Sequence, residues 1–373
     1  MPNRLNIEAL RSALTASGLN PAGLAKQLDV SREGVSKWLS GEAFPRPDKL
    51  LRLSSTVGLS FRDLVIADEV GAPRVAFRKM RGRSTTDAHI RHAQEMGRTL
   101  RSLVPYLPFN KLVTPPVLKA PTNEYGYLQA VSTSLRKSLG VSPSDPITFP
   151  HLVRRFGELQ AVLIPVTWGK KDRHENATHI YLPDSRTTWI YLNLDVQAHD
   201  FLFWMAHELG HSLSPDLVAD AAEDFADSFA AALLFPQERA GTAYADVFGK
   251  QPGTQVNLIK EWAERFAISP YCVYQEINAF ARHVGRAEVK LGPVIHGATT
   301  NFNKRYLLVS EALFAGKKPK PEDLIRVASE AFETPFFEAL ARYLKESDKG
   351  PSFVQTVLDV SNIDAKGIHA ELT

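Results

Sequence analysis

The stretch Ala206-His207-Glu208-Leu209-Gly210-His211 follows five apolar residues at positions 201–205, and together they predict one helix. On a helix, His207 and His211 stand one turn apart on the same face, so their imidazoles can share one metal ion. Glu208 lies about 100° further round the helix, close enough to act on a water bound to that ion. The same letters also arise by chance on core helices, so the surrounding sequence must decide between a metal site and a structural helix.

A metal site built on two histidines requires a third protein ligand, and a catalytic site leaves a fourth position for water. The helix predicted after the motif carries several acidic residues. One carboxylate facing the two imidazoles would complete a His₂Glu site, and another acidic side chain could orient a ligand histidine through its second ring nitrogen. The candidates are Asp216, Asp220, Glu223, Asp224 and Asp227.

The motif, the strand Trp189-Ile190-Tyr191-Leu192-Asn193 before it and the helix after it resemble the ImmA/IrrE family of metallo-endopeptidases over about residues 125–280. The resemblance implies a zincin-like, HExxH gluzincin-like hydrolase with Zn²⁺ as its cofactor. One departure is the stretch at positions 196–200, where the family carries an arginine, and this leaves the substrate contacts there open. By position, the resemblance implies metal ligands His207, His211 and Glu223, the catalytic base Glu208, and Asp227 as a support for a ligand histidine. Asp220 or Asp227 as the third ligand is the alternative.

Residues 6–64 have the apolar spacing of several short helices, with a turn at Asp29-Val30 and a cap at Ser31. The run from Leu24 to Glu42 resembles the helix-turn-helix domain of the XRE/Cro family. The resemblance implies that the third helix, Arg32 to Leu39, enters the major groove of double-stranded DNA. It implies DNA contacts from Ser31, Arg32, Glu33, Ser36 and Lys37. The alternative is a domain that serves dimerisation or protein contact only.

The chain has 373 residues, a formal net charge of +3 and one cysteine, Cys272. This length predicts two or three domains. A single cysteine excludes both an internal disulfide framework and a cysteine-ligated zinc site, and it fits a reducing cytosol. The N-terminal residues lack an apolar signal core, and no run approaches the roughly 18 apolar residues that a membrane span requires. We therefore expect a soluble cytoplasmic protein.

The predicted fold class is α+β, mostly α, with four segments. Residues 1–68 form a five-helix helix-turn-helix domain, and residues 69–121 form a linker with a helix. The linker is basic, which suits either phosphate contacts or a solvated connection. Residues 122–285 form the metallopeptidase domain with a small antiparallel sheet, and residues 286–373 form a helical domain of unassigned role. The basic residues of the linker are Arg74, Arg78, Lys79, Arg81 and Arg83, and prolines up to Pro121 break the chain after them.

These features predict a DNA-binding regulator with a zinc-dependent endopeptidase domain. By family resemblance, its substrate is a transcriptional repressor that is cut in a stress or prophage response. A hairpin edge between Ile180 and Asn193 would hold the substrate peptide by strand addition. The alternative is a transcription factor whose metallopeptidase-like domain senses a ligand or metal and cuts nothing. An immunity role at a mobile-element locus is a third hypothesis, and a homodimer is allowed but not specified. Weak candidates for an oxyanion partner are Tyr181, Tyr191 and Tyr244.

Overall fold

A computed structural model describes residues 4–41, 43–66, 73–77, 87–109, 116–169 and 177–373. The chain divides into two compact units, Met1–Ala72 and Pro73–Thr373. This division lies close to the boundary predicted at residue 68, whereas the predicted linker, peptidase and C-terminal segments share the second unit. Six residues of the sequence-based predictions lie outside the described residues: Glu42, Arg78, Lys79, Arg81, Arg83 and Pro115.

The described part of the first unit contains the five predicted helices. Asn20 and Ser31 cap the second and third helices, since their side chains accept hydrogen bonds from Gly23 N and Gly34 N at 2.8 and 3.0 Å. Between these helices Asp29 adopts the left-handed conformation, which turns the chain sharply. The elements are α1 (Ile7–Ala16), α2 (Pro21–Leu28), α3 (Arg32–Ser40), α4 (Pro47–Val57) and α5 (Phe61–Leu64), with an antiparallel pair β1 (Arg4–Leu5) and β2 (Val65–Ile66).

The second unit is a small sheet covered by helices, so the chain as a whole is mostly α-helical, as predicted. None of the helices in the described ranges is long and apolar enough to cross a membrane. The elements are β3 (Arg74–Phe77), α6 (Asp87–Leu100) with a 3₁₀ helix (Arg101–Tyr106), α7 (Tyr125–Ser138), α8 (Phe149–Glu158), β4 (Val162–Val166), β5 (Ala177–Leu182), β6 (Thr187–Asn193), α9 (Ala198–Leu213), α10 (Ala219–Leu234), α11 (Gln237–Val247), α12 (Pro252–Phe266), α13 (Pro270–His283), α14 (Val294–Asn303), α15 (Val309–Leu313), α16 (Pro321–Phe332), α17 (Phe336–Ser347), α18 (Pro351–Leu358) and α19 (Asn362–Leu372).

The sheet of the second unit is mixed, and the prediction of an antiparallel sheet was wrong in this respect. Among the described residues the strand order is β3-β5-β6-β4. β5 and β6 form the predicted antiparallel hairpin, but β4 runs parallel to β6, with Val162 opposite Trp189 and Val166 opposite Asn193. All residues of β4 are buried. Burial on both faces is typical of parallel strands, and it explains the continuous apolar run in the sequence.

The segment predicted as a linker contributes an edge strand to this sheet. β3 pairs antiparallel with β5, placing Arg74 opposite Tyr181 and Phe77 opposite Thr178. β5 therefore has a neighbour on each side, β3 and β6, and β6 lies between β5 and β4. The hairpin offers no free edge for a substrate strand, so the expectation of strand addition between Ile180 and Asn193 was wrong.

The C-terminal helices cover one face of the sheet and are not a separate module. Trp189 and Tyr191 of β6 belong to the same apolar cluster as residues of α16 to α19. Tyr191 donates a hydrogen bond to Val357 O at 2.6 Å, and Trp168 Nε1 donates one to Leu358 O at 2.9 Å. Apolar residues of α8, α9 and α10 form a second cluster with Ile190 and other residues of the sheet. The C-terminal helices thus complete the core on the face of the sheet opposite the motif helix.

Candidate metal centre and DNA-binding surface

The two histidines of the motif converge in the interior of the second unit. α9 is buried along most of its length because apolar side chains precede and flank the motif. His207 and His211 are 0% and 5% exposed, and their Nε2 atoms lie 3.0 Å apart. This is the one-turn spacing expected for a shared ligand.

Gly210 allows the following helix to approach the histidines. A Cβ atom at this position would lie 3.0 Å from Ala226 Cα and 3.1 Å from the Phe229 ring. A backbone atom cannot yield as a flexible side chain can, so the absence of a side chain at Gly210 is required for this packing of α9 against α10. The close packing brings Glu223, one turn before Ala226, up to the histidine pair.

Glu223 completes a cluster of three ligand atoms. Its Oε1 lies 3.3 Å from His211 Nε2, and its Oε2 lies 3.5 Å from His207 Nε2. Tetrahedral zinc with bonds of 2.0–2.1 Å separates its ligand atoms by about 3.3 Å, which these spacings match closely. Glu223 Oε2 is also buried without a hydrogen-bond partner among the described residues. His207, His211 and Glu223 therefore fit a metal ion.

The electrostatics of the cluster also suit a cation. Burial lowers the pKa of His207, but the neighbouring carboxylates of Asp227 and Glu223 outweigh burial and raise it to about 9. Burial raises the pKa of Glu223, yet the two histidines prevail and hold it below its ordinary value. The carboxylates therefore favour a positive charge at this point, and a proton or a metal ion can supply it.

Asp227 lies beside the cluster and contacts the outer nitrogen of one histidine. Its Oδ1 is 2.9 Å from His207 Nδ1. A carboxylate at this nitrogen fixes the tautomer that leaves Nε2 free to bind a metal. The geometry places Asp227 at the outer nitrogen of His207 and Glu223 within the three-residue cluster. Asp216, Asp220 and Asp224 are exposed and lie outside the three-residue cluster.

Replacing Asp227 with asparagine is expected to lower zinc affinity by about 10- to 100-fold, because the amide cannot stabilise the Nδ1-protonated imidazole as a carboxylate does. Competition with a chromophoric chelator measures this change. Asp224→Asn is the matched control, since Asp224 is an exposed residue of the same helix. Equal zinc affinities of the two variants would show that Asp227 does not support His207.

His179 is a residue near the site that the sequence analysis did not single out. It lies on β5, is buried, and places its Nδ1 3.6 Å from Glu208 Oε2. Burial lowers the pKa of His179, against the opposing effect of Glu208. The 3.6 Å separation is longer than a hydrogen bond, and neither atom has a hydrogen-bond partner among the described residues. The available signal was a histidine inside an otherwise apolar strand close to the motif, but only the sheet shows which helix that strand faces.

Two of the proposed oxyanion partners are engaged elsewhere. The Tyr191 hydroxyl bonds to Val357 O on the far face of the sheet, and the Tyr244 hydroxyl donates to Ala287 O at 2.8 Å. Neither is placed to stabilise charge at the metal centre, so both predictions were wrong.

In the first unit, α3 presents the predicted DNA-contacting side chains on one exposed face. Val35 and Trp38 are buried on the opposite face. Lys37 and Glu33 form an ion pair at 2.8 Å along this face. The exposed residues are Ser31, Arg32, Glu33, Ser36 and Lys37.

Comparison with known families identifies the fold of the N-terminal unit. Residues 10–64 match the Helix-turn-helix family model. No curated protein matched the chain. The metal centre lies outside the matched residues. The N-terminal unit is therefore a helix-turn-helix DNA-binding domain of a transcriptional regulator.

Proposed function

We propose that the second unit is a zinc-dependent endopeptidase that works with the DNA-binding domain in gene regulation. The observation that carries the proposal is the convergence of His207, His211 and Glu223, with the Glu208 carboxylate on the same helix. A buried carboxylate beside a three-ligand metal site is an arrangement that supports metal-dependent hydrolysis of a peptide bond. A site that only bound metal would not need Glu208.

Three residues of the site would hold the metal, and a fourth would transfer a proton. His207, His211 and Glu223 would hold Zn²⁺, which when bound polarises the scissile carbonyl and lowers the pKa of water. Glu208 accepts a proton from the attacking water and delivers it to the leaving amine. His179 lies beside Glu208, with its Nδ1 atom 3.6 Å from Glu208 Oε2. Asp227 holds the His207 ring.

The substrate that we propose is a transcriptional repressor, cut in a stress or mobile-element response. The test is co-expression of the protein with candidate repressors, followed by detection of a truncated product. Cleavage that needs zinc and stops with a chelator supports the proposal. Repressors that all remain intact with a zinc-loaded protein would count against proteolysis.

A second candidate function is sensing without proteolysis, and the burial of the site favours it. The metal ligands and Glu208 are at most 8% exposed, so a polypeptide can reach them only if the neighbouring helices move. In this case zinc or a small ligand would alter the DNA-binding activity directly. Operator binding that changes on zinc removal, and equally in wild type and Glu208→Gln, would support the sensor.

We expect a substitution on the exposed face of α3 to weaken DNA binding. Arg32→Ala is expected to weaken binding to the selected operator by about 1–3 kcal/mol if the arginine contacts a base edge. Fluorescence anisotropy with a duplex obtained by selection from random DNA measures the change. Arg52→Ala, at an exposed position of α4, is the matched control. Equal affinities of both variants would remove Arg32 from the interface.

A further inference from the structure

A cavity of about 930 Å³ lies in the second unit next to the metal centre. Residues of α7, α9, α10, α13 and α14 line it. Asp227, whose carboxylate contacts His207, is one of these residues, so a single side chain connects the metal centre with the cavity. This volume is in the range that protein pockets use for small ligands or side chains.

The wall of the cavity contains buried polar atoms that lack partners among the described residues. Glu276 is only 6% exposed, and its Oε2 accepts no hydrogen bond. The hydroxyl groups of Tyr125 and Thr299 are likewise buried without a partner. Unsatisfied buried polar groups are costly, and in native proteins they commonly mark a site where a ligand supplies the missing bond.

The chemistry of the wall favours a positively charged ligand. Four carboxyl groups line the cavity, together with one guanidinium, that of Arg282, which is already paired with Glu288 at 2.8 Å. Aromatic rings also line it, and these attract cations through their faces. The four acidic residues are Glu124, Asp200, Asp227 and Glu276, and the aromatic residues are Tyr125, Phe203, Trp204 and Tyr271.

Glu276 is the centre of this arrangement. Burial raises the pKa of Glu276 to about 8, despite the opposing effect of Arg282. Because burial outweighs the effect of Arg282, this carboxyl group is held largely neutral. A guanidinium or ammonium group beside it would stabilise the ionised form and supply the hydrogen bond that Oε2 lacks.

We propose that this cavity binds a guanidinium or ammonium group, with Glu276 as its principal acceptor and Tyr125 as a second contact. The group comes either from a basic side chain of a protein substrate or from a free amine. The first source rests on the proposed peptidase function, in which the cavity selects substrates with arginine or lysine near the scissile bond. The cation site itself does not depend on proteolysis.

Calorimetric titration of the full-length, zinc-loaded Glu208→Gln protein tests the site without turnover. The probes are agmatine, a peptide with one arginine, and the same peptide with citrulline, the neutral isostere of arginine. We expect the arginine peptide to bind at least about tenfold more tightly than the citrulline peptide, and we expect Glu276→Gln to remove most of this preference. Agmatine binding that displaces the peptide would identify a free amine as a ligand of the same site.

A second cavity variant and a control variant extend the test of the cation site. Tyr125→Phe removes one hydroxyl group and is expected to reduce the arginine preference without loss of zinc. Glu238→Gln changes an exposed residue of α11, outside the cavity lining, and serves as the charge-matched control. Zinc content and thermal unfolding confirm that each variant is folded.

The outcomes separate this inference from the peptidase proposal. A preference for arginine that depends on Glu276, in a protein that cleaves nothing, would keep the cation site and refute the peptidase. Cleavage without any preference for arginine over citrulline, and without agmatine binding, would keep the peptidase and overturn the cation site. The cation site would also be overturned if Glu276→Gln and the protein that retains Glu276 bound every probe equally.

Discussion

Glu208→Gln is expected to lower kcat for peptide cleavage by about 10²- to 10⁴-fold, because an amide cannot accept the proton of the attacking water. Glutamine has nearly the same shape as glutamate, and Glu208 is not one of the three clustered ligand residues. Zinc content should therefore stay at the wild-type value. The measurement is cleavage of a fluorogenic peptide taken from the cut region of the substrate, together with metal analysis of the same sample.

The informative control for this variant is Glu223→Gln, which changes the same residue type within the ligand cluster. We expect it to lose zinc and activity together, whereas Glu208→Gln loses activity alone. Both residues are buried, so the two substitutions place comparable demands on folding. Full cleavage by Glu208→Gln would refute Glu208 as the base and leave sensing as the better account of the site.

His211→Ala is expected to abolish zinc-dependent stabilisation of the second unit. A ligand that binds only the folded state at about a thousand times its Kd stabilises that state by about 4 kcal/mol. Wild-type protein should therefore melt at a higher temperature with zinc than with a chelator, while the variant should show no difference. Differential scanning calorimetry with and without zinc measures both.

The control is His199→Ala, since His199 is a buried histidine of the same helix that packs against Tyr306, with ring centroids 3.9 Å apart. This substitution also removes a buried ring, but zinc should still raise its melting temperature. Stabilisation by zinc of equal size in His211→Ala and wild type would exclude His211 as a ligand.

The pH dependence of zinc binding follows from the proton on His207. Its pKa in the metal-free protein is raised to about 9, so zinc must displace a proton at neutral pH. This protonated histidine contributes stability that is fully present below its unfolded pKa and is lost as pH rises through about 9. Because zinc competes with this proton, the affinity for zinc should rise as the pH rises towards about 9. An affinity for zinc that does not change with pH would contradict the positive charge assigned to His207.

Much of the site was predictable because it depends on local spacing. The histidine pair follows from the one-turn separation within a single helix, and Glu208 occupies the adjacent position. The helix-turn-helix was predictable for the same reason, since Asn20, Asp29 and Ser31 act on backbone groups a few residues away. The position of Glu223 was narrowed to a few acidic residues on the next helix, and the family resemblance favoured it among them.

The contacts that the sequence analysis missed join residues far apart in the chain. His179 approaches Glu208 only because β5 lies against α9 within the folded unit. The strand β3 was taken for part of a linker because a short basic segment has weak strand character without its partner β5. The cavity around Glu276 likewise forms only when α7, α9, α10, α13 and α14 pack together.

The sequence alone therefore determined the elements whose formation depends on neighbouring residues: the helices, their caps, the motif histidines and the side chains that α3 exposes. The tertiary structure decided that Glu223 completes the cluster, that His179 faces Glu208, and that the C-terminal helices cover the sheet. The physical reason is the distance along the chain over which each interaction acts. Capping and helical periodicity act within a few residues, whereas burial, strand pairing and ligand convergence depend on how distant segments pack.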